Sequence, residues 1–156
     1  MFEPNPLYQD IILEYYEVPR NRGRVEDADA CCRGNNPSCG DDLTVSLKVA
    51  GGTVGPVMWD GHACAIGEAS ASMMTEVVTA IPTEGARAWV RTVRTMITGR
   101  GEADPSIELG DIESLQVVAK RPARVKCALL AWEAFDEALT LAEAVHARAA
   151  TANGVA

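Results

Sequence analysis

Residues 35–42 read NNPSCGDD, a run of turn formers that displays Cys39 with Asp41 two places on, across Gly40. A loop thiol with no disulfide partner is an accident, a metal ligand or a nucleophile. C-x-D alone does not choose among them, but from a tight turn it lets a sulfur and a carboxylate converge on one point. Two further cysteines sit where thiols gain reactivity. Cys64 opens a helical stretch of small residues, and Cys127 falls in the opening turns of a long helical stretch near the C-terminus. The positive end of a helix dipole favours a thiolate, so both are expected to titrate below the ordinary thiol value of about 8.5. Cys39, Asp41, Cys64 and Cys127 together would offer three sulfurs and one oxygen, a tetrahedral donor set suited to zinc. Joining distant segments, such a site would also stabilise the fold. Taken singly, Cys64 and Cys127 read equally well as buried core thiols, the commonest state of a free cysteine.

The elements that must hold these residues follow from hydrophobic spacing. Apolar residues at 7, 8, 11, 12, 15 and 16 predict a helix that stops before Pro19. Residues 20–42 form a long Asn-, Gly- and Asp-rich connection with at most a short strand in it. Leu43, Val45, Leu47 and Val49 alternate as a half-buried strand does, "AGG" turns the chain, and "TVGPVMW" returns as the hairpin partner. Pro56 in that second strand suggests an edge position or a bulge. A helix from about Cys64 is rich in Ala, Gly and Ser and so should pack closely on the sheet. Another helix is expected over Thr83–Thr98, stopped by Gly99, then a short helical piece apolar at Ile112, Leu115 and Val118. A long last helix should start near Pro122, with a flexible tail from about residue 150. Strands first and helices after argue for one α+β domain spanning 1–156, a small antiparallel sheet with helices packed on it.

Composition narrows the function classes. The chain is 47% hydrophobic and 23% charged, as globular domains are, and its net charge is -8. A nucleic-acid binder would need clustered cations to displace counterions from phosphates, so that class is disfavoured. The start lacks the basic and apolar regions of a signal peptide, and no run approaches the ~18 apolar residues of a membrane span. A cytoplasmic location is therefore expected, where thiols stay reduced. Five cysteines, at 31, 32, 39, 64 and 127, also fit poorly with a disulfide framework. Cys31 and Cys32, as neighbours, would make a strained disulfide and read as incidental thiols. His62, two places before Cys64, could reach the metal as a substitute ligand, though a solvated loop histidine is the plainer reading; His146 reads as surface. The stripe Leu129, Leu130, Trp132, Phe135 is core or partner-facing, and spacing cannot say which.

Four segments share their wording with one family: "PRNRG" (19–23), "NNPSCGD" (35–41), "CAIGEASASMMTE" (64–76), and "GDIESLQ" with "PARVKCALLAWEAF" (110–135). In these the chain resembles the U-type iron–sulfur assembly proteins, the IscU and NifU N-terminal family, most closely its SufU branch, which carries the long segment with "GDIESLQ". The resemblance implies a compact α+β fold with a metal site at one end. Cys39, Asp41, Cys64 and Cys127 fall on the family's metal ligands, and Arg124 on the basic residue that the SufU branch places three before the last cysteine. Lys126 stands where the IscU branch has a histidine, a departure that favours sulfur transfer over cluster building.

By the same resemblance the chain is expected to dock on a SufS-type, pyridoxal-phosphate cysteine desulfurase, where a partner side chain replaces the Cys39 thiolate on zinc. Cys39 is then free to attack the partner's persulfide, and the sulfur goes on to a downstream SUF assembly scaffold. Arg124 could attract that partner or pair with Asp41. Two other readings stay open: a scaffold that assembles a [2Fe-2S] cluster on the same ligands, and a purely structural zinc domain.

Overall fold

A computed structural model describes residues 6–152. The helix α1 (Pro6–Glu17) is followed by a three-stranded antiparallel sheet of β1 (Ala30–Asn36), β2 (Asp41–Ala50) and β3 (Thr53–His62), in the order β1-β2-β3. Then come α2 (Ala65–Val78), α3 (Thr83–Thr98), a 3-10 helix (Gly110–Val118) and α4 (Pro122–Ala152). The predicted alternation holds on the central strand, where Leu43, Val45, Leu47 and Val49 are all buried. Gly51 and Gly52 both take positive φ at the β2–β3 turn, as tight hairpins require. β3 is an edge strand, as Pro56 suggested, with a register shift opposite it between Leu47 and Val49.

α4 lies across β1 and β2 and packs on α2. Its stripe Leu129, Leu130, Trp132 and Phe135 is buried, which settles it as core. The helix continues to Ala152, so the tail expected from about residue 150 begins as helix, and its positions 153–156 lie outside the described residues. The piece apolar at Ile112, Leu115 and Val118 buries all three on a 3-10 helix, whose period of three residues matches that spacing. α1 is less buried than its stripe implies: Ile12 is in the core, while Leu7 and Tyr16 stay exposed.

The connection 20–42 departs most from expectation. It contains a full strand, β1, paired along its whole length with β2 from Ala30↔Leu47 to Asn36↔Asp41. Its sequence, ACCRGNN, has weak strand propensity, so local signals hid it; pairing and packing supply what propensity lacks. At Gly34 a Cβ would come within 3.0 Å of Leu130, and its absence lets α4 close on the strand. Among the described residues no helix is long and apolar enough to cross a membrane.

Candidate metal centre

The full length of β1 turns NNPSCGDD into the tip of a β-hairpin. Asn36 and Asp41 pair across its base, and within the turn Cys39 N–H bonds Asn36 O (3.1 Å). Cys39 is therefore part-exposed at the tip, while Asp41, the first residue of β2, is 1% exposed. Cys127, on the buried face of α4, is 0% exposed. One donor atom from each of Cys39, Asp41 and Cys127 lies within 4.8 Å of the other two.

Cys64 is the N-cap residue of α2, and its thiol makes no capping hydrogen bond. Its backbone N–H donates instead to Asp41 Oδ1 at 3.0 Å. Small residues bring it to the others by letting α2 close on α4, where close packing on the sheet was expected: at Gly67 a Cβ would stand 3.5 Å from the carbonyl oxygen of Cys127. Ser70 ties the two helices, donating to Ala128 O (2.6 Å) and accepting from Trp132 Nε1 (2.9 Å). Cys64 thus sits beside the trio, close enough to Cys127 to hydrogen-bond with it.

The donors fit a metal on an observation independent of motif. Asp41 Oδ2 is buried and has no hydrogen-bond partner, a state that is rare unless an ion or water completes it. A buried carboxylate beside two thiol sulfurs is a binding set suited to a divalent ion of borderline softness.

The expected lowering of the Cys127 pKa is overturned. Burial, first, and then Asp41, Cys39 and Cys64 beside it push this thiol above the ordinary value. Cys127 is beyond the first turn of α4, where the dipole's effect has faded, and without a cation desolvation dominates.

Arg124 is exposed on the first turns of α4, and its guanidinium lies against Cys64 and, more weakly, Cys127, whose negative potential raises its pKa. A cleft of about 200 Å³ opens beside the Cys39 turn, lined by Asn36, Ser38, Pro122, Ala123 and Lys126. His62 ends β3 opposite Asp42 and is exposed, outside the donor trio. Cys31 and Cys32 are free thiols on opposite faces of β1, one exposed and one buried. His146 is at the surface, as expected, but paired with Asp29 at 2.9 Å.

Sequence reasoning passed over two groups that shape the site. Asn36 Nδ2 lies 3.9 Å from Cys127 Sγ. Glu68 Oε2 accepts from Ala63 N–H at 3.1 Å, just before Cys64. A Glu in the first turn of α2 was visible in the sequence, but nothing there shows it folding back onto the turn.

Comparisons with known proteins bear on the family and the fold. The family model described as "NifU-like N terminal domain" matches residues 7–128. The chain is 40% identical over 137 residues to the zinc-dependent sulfurtransferase SufU of Bacillus subtilis (strain 168), covering 88% of this chain and 92% of that one. It is 35% identical over 133 residues to the iron-sulfur cluster assembly scaffold protein IscU of Thermotoga maritima, covering 85% and 92%. Its fold superposes with a TM-score of 0.77 and 32% identity on a crystal structure from Fervidobacterium islandicum AW-1, named as a cluster assembly scaffold for the SUF system, covering 83% and 94%.

Proposed function

This chain belongs to the NifU-like N-terminal domain family, and from that membership and its donor geometry we propose that it is a zinc-dependent sulfur acceptor. It takes persulfide sulfur from a cysteine desulfurase for iron–sulfur cluster assembly. Cys39, Asp41, Cys64 and Cys127 hold the zinc in this reading. Zinc, when bound, keeps its thiolates deprotonated at neutral pH and ties the hairpin tip to the helices.

One observation carries the reading: within the trio, Asp41 and Cys127 are buried and Cys39 alone is part-exposed, on a turn. A sulfur acceptor needs one thiol that can meet a large partner and others that stay in place. The similarity to a sulfurtransferase over most of both chains supports the same conclusion.

Cys39 is the nucleophile. Its thiolate attacks the outer sulfur of the desulfurase's cysteine persulfide. A bond forms between Cys39 Sγ and that sulfur, the partner's own S–S bond breaks, and the partner's cysteine leaves as a thiolate. One sulfur atom changes carrier and no external oxidant or reductant is consumed. Asp41 and Cys127, buried, stay with the fold. Arg124 presents a cation at the edge of the site, where an incoming persulfide is anionic. The sulfur then passes to a downstream SUF scaffold.

Sulfide release from cysteine by a SufS-type desulfurase, with zinc-loaded protein and no iron, tests the proposal. Stimulation by the wild type that disappears in Cys39→Ala is expected. Absence of stimulation overturns it, and bound iron with visible absorption would instead make the chain a [2Fe-2S] scaffold.

A further inference from the structure

We propose that Glu68, braced by Arg22, is a positioning residue for Cys64, holding the turn at 63–64 so that this sulfur stays fixed while Cys39 moves. The inference rests on the metal reading above. Helix N-caps are usually Ser, Thr, Asp or Asn, whose side chains accept the first N–H groups. Cys64 occupies that place without a capping bond. Two carboxylates instead hold the backbone N–H groups of Cys64 and of the residue before it. Asp41 Oδ1 takes Cys64 N–H at 3.0 Å and Glu68 Oε2 takes Ala63 N–H at 3.1 Å. Glu68 N–H in turn donates to Cys64 O at 3.0 Å. Glu68 therefore grips the turn through both its side chain and its backbone.

Glu68 is 8% exposed, on a helix whose other buried residues are small or apolar apart from hydroxyls. A carboxylate in that position is costly unless paired. Its partner is Arg22, whose Nη1 lies 3.5 Å from Glu68 Oε1. The same guanidinium donates to Gly61 O at 2.7 Å and stacks 4.9 Å above the Trp59 ring. Arg22 is itself fixed, because Trp59 N–H bonds Asn21 O and Gly23 N–H bonds Trp59 O. Residues of the "PRNRG" segment, β3 and the start of α2 thus form a closed bracket around the entry to Cys64. Among the described residues the Cys39 turn has no such brace; its Cys39 N–H and Gly40 N–H bond within the hairpin tip, to Asn36 O and Pro37 O. The site then combines an anchored thiolate with a movable one.

The test uses the full chain with three substitutions. Glu68→Met keeps length without an acceptor, Glu68→Gln keeps an oxygen for Ala63 N–H, and Arg22→Ala removes the exposed brace together with its stacking on Trp59. Amide exchange at Ala63 and Cys64 is read in the metal-free protein. Co²⁺ is the metal probe, read by its thiolate absorption and its loss to a chelator. Glu68→Met is expected to speed exchange at Ala63 and Cys64 selectively and to weaken Co²⁺ binding about tenfold, with altered ligand-field bands. Arg22→Ala should fall between, and so should Glu68→Gln, whose single oxygen can serve Ala63 N–H or Arg22 but not both. Wild-type exchange and Co²⁺ retention in Glu68→Met, or in Arg22→Ala where Glu68→Met does not fold, overturn the proposal. So does a Glu68→Gln as impaired as Glu68→Met, which would make lost charge the cause. A wild type that shows no thiolate–Co²⁺ absorption overturns the metal reading itself, and the metal-free exchange data tell that failure from one confined to Glu68.

Discussion

The backbone N–H of Cys64 donates to Asp41 Oδ1 across 3.0 Å, while Asp41 Oδ2, equally buried, bonds to nothing. One side chain therefore caps a helix with one oxygen and leaves the other unpartnered.

Asp41→Asn should separate those two roles. The amide oxygen can still take Cys64 N–H, and the unpartnered carboxylate oxygen is gone. Metal-free protein is expected to be as stable as wild type or more so, by up to about 1 kcal/mol, whereas zinc affinity falls. Urea unfolding with and without metal checks it; equal zinc affinity in the two proteins would show that Asp41 is a cap only.

Cys39 and Cys127 should differ sharply when changed to Ser. Cys39 is part-exposed on the hairpin turn, so Cys39→Ser should change metal-free stability by less than about 0.5 kcal/mol. Cys127 is fully buried, and a hydroxyl there should cost about 1–3 kcal/mol. Thermal melts in chelator decide between this contrast and two equivalent thiols.

Ser70→Ala should destabilise by about 1–3 kcal/mol, because it strands the buried Trp132 indole N–H and removes the bond to Ala128 O. The same change should loosen α2 against α4 and so weaken metal binding. Trp132 fluorescence follows the first effect and chelator competition the second.

The acid limb of stability should depend on Asp29. Burial raises its pKa, but Val49 N–H (2.9 Å) and His146 outweigh it and hold the carboxyl below the ordinary carboxylate range. A group depressed in the folded state contributes stability above its unfolded pKa of about 3.9 and loses it as pH falls through the folded value. Asp29→Asn should therefore flatten the fall in urea midpoint below pH 4. His146→Ala should change it less, since the Val49 bond remains.

Much of the fold was legible because it rests on local periodicity. The period of two at Leu43–Val49 and the helical stripes at 83–98 and 122–135 each name an element without reference to any other. β1 was not legible: ACCRGNN becomes a strand through β2 on one side and Leu130 against Gly34 on the other. The same limit applied at the site. The shared wording around Cys39, Asp41, Cys64 and Cys127 pointed to one centre, yet the raised Cys127 thiol ran against the helix-dipole argument, which omits burial.

By itself, then, the sequence determined the types of the elements other than β1, the placing of the β2–β3 hairpin before the later helices, and the residues able to act as donors, since each is a property of side-chain chemistry and short-range spacing. Only the tertiary structure decided that Cys39 is part-exposed while Asp41 and Cys127 are buried, that Asp41 keeps an oxygen unpaired, and that Glu68 and Arg22 brace Cys64. Those relations bring together segments up to 88 positions apart in the chain, as Cys39 and Cys127 are, and the contacts that create them exist only once the core has closed.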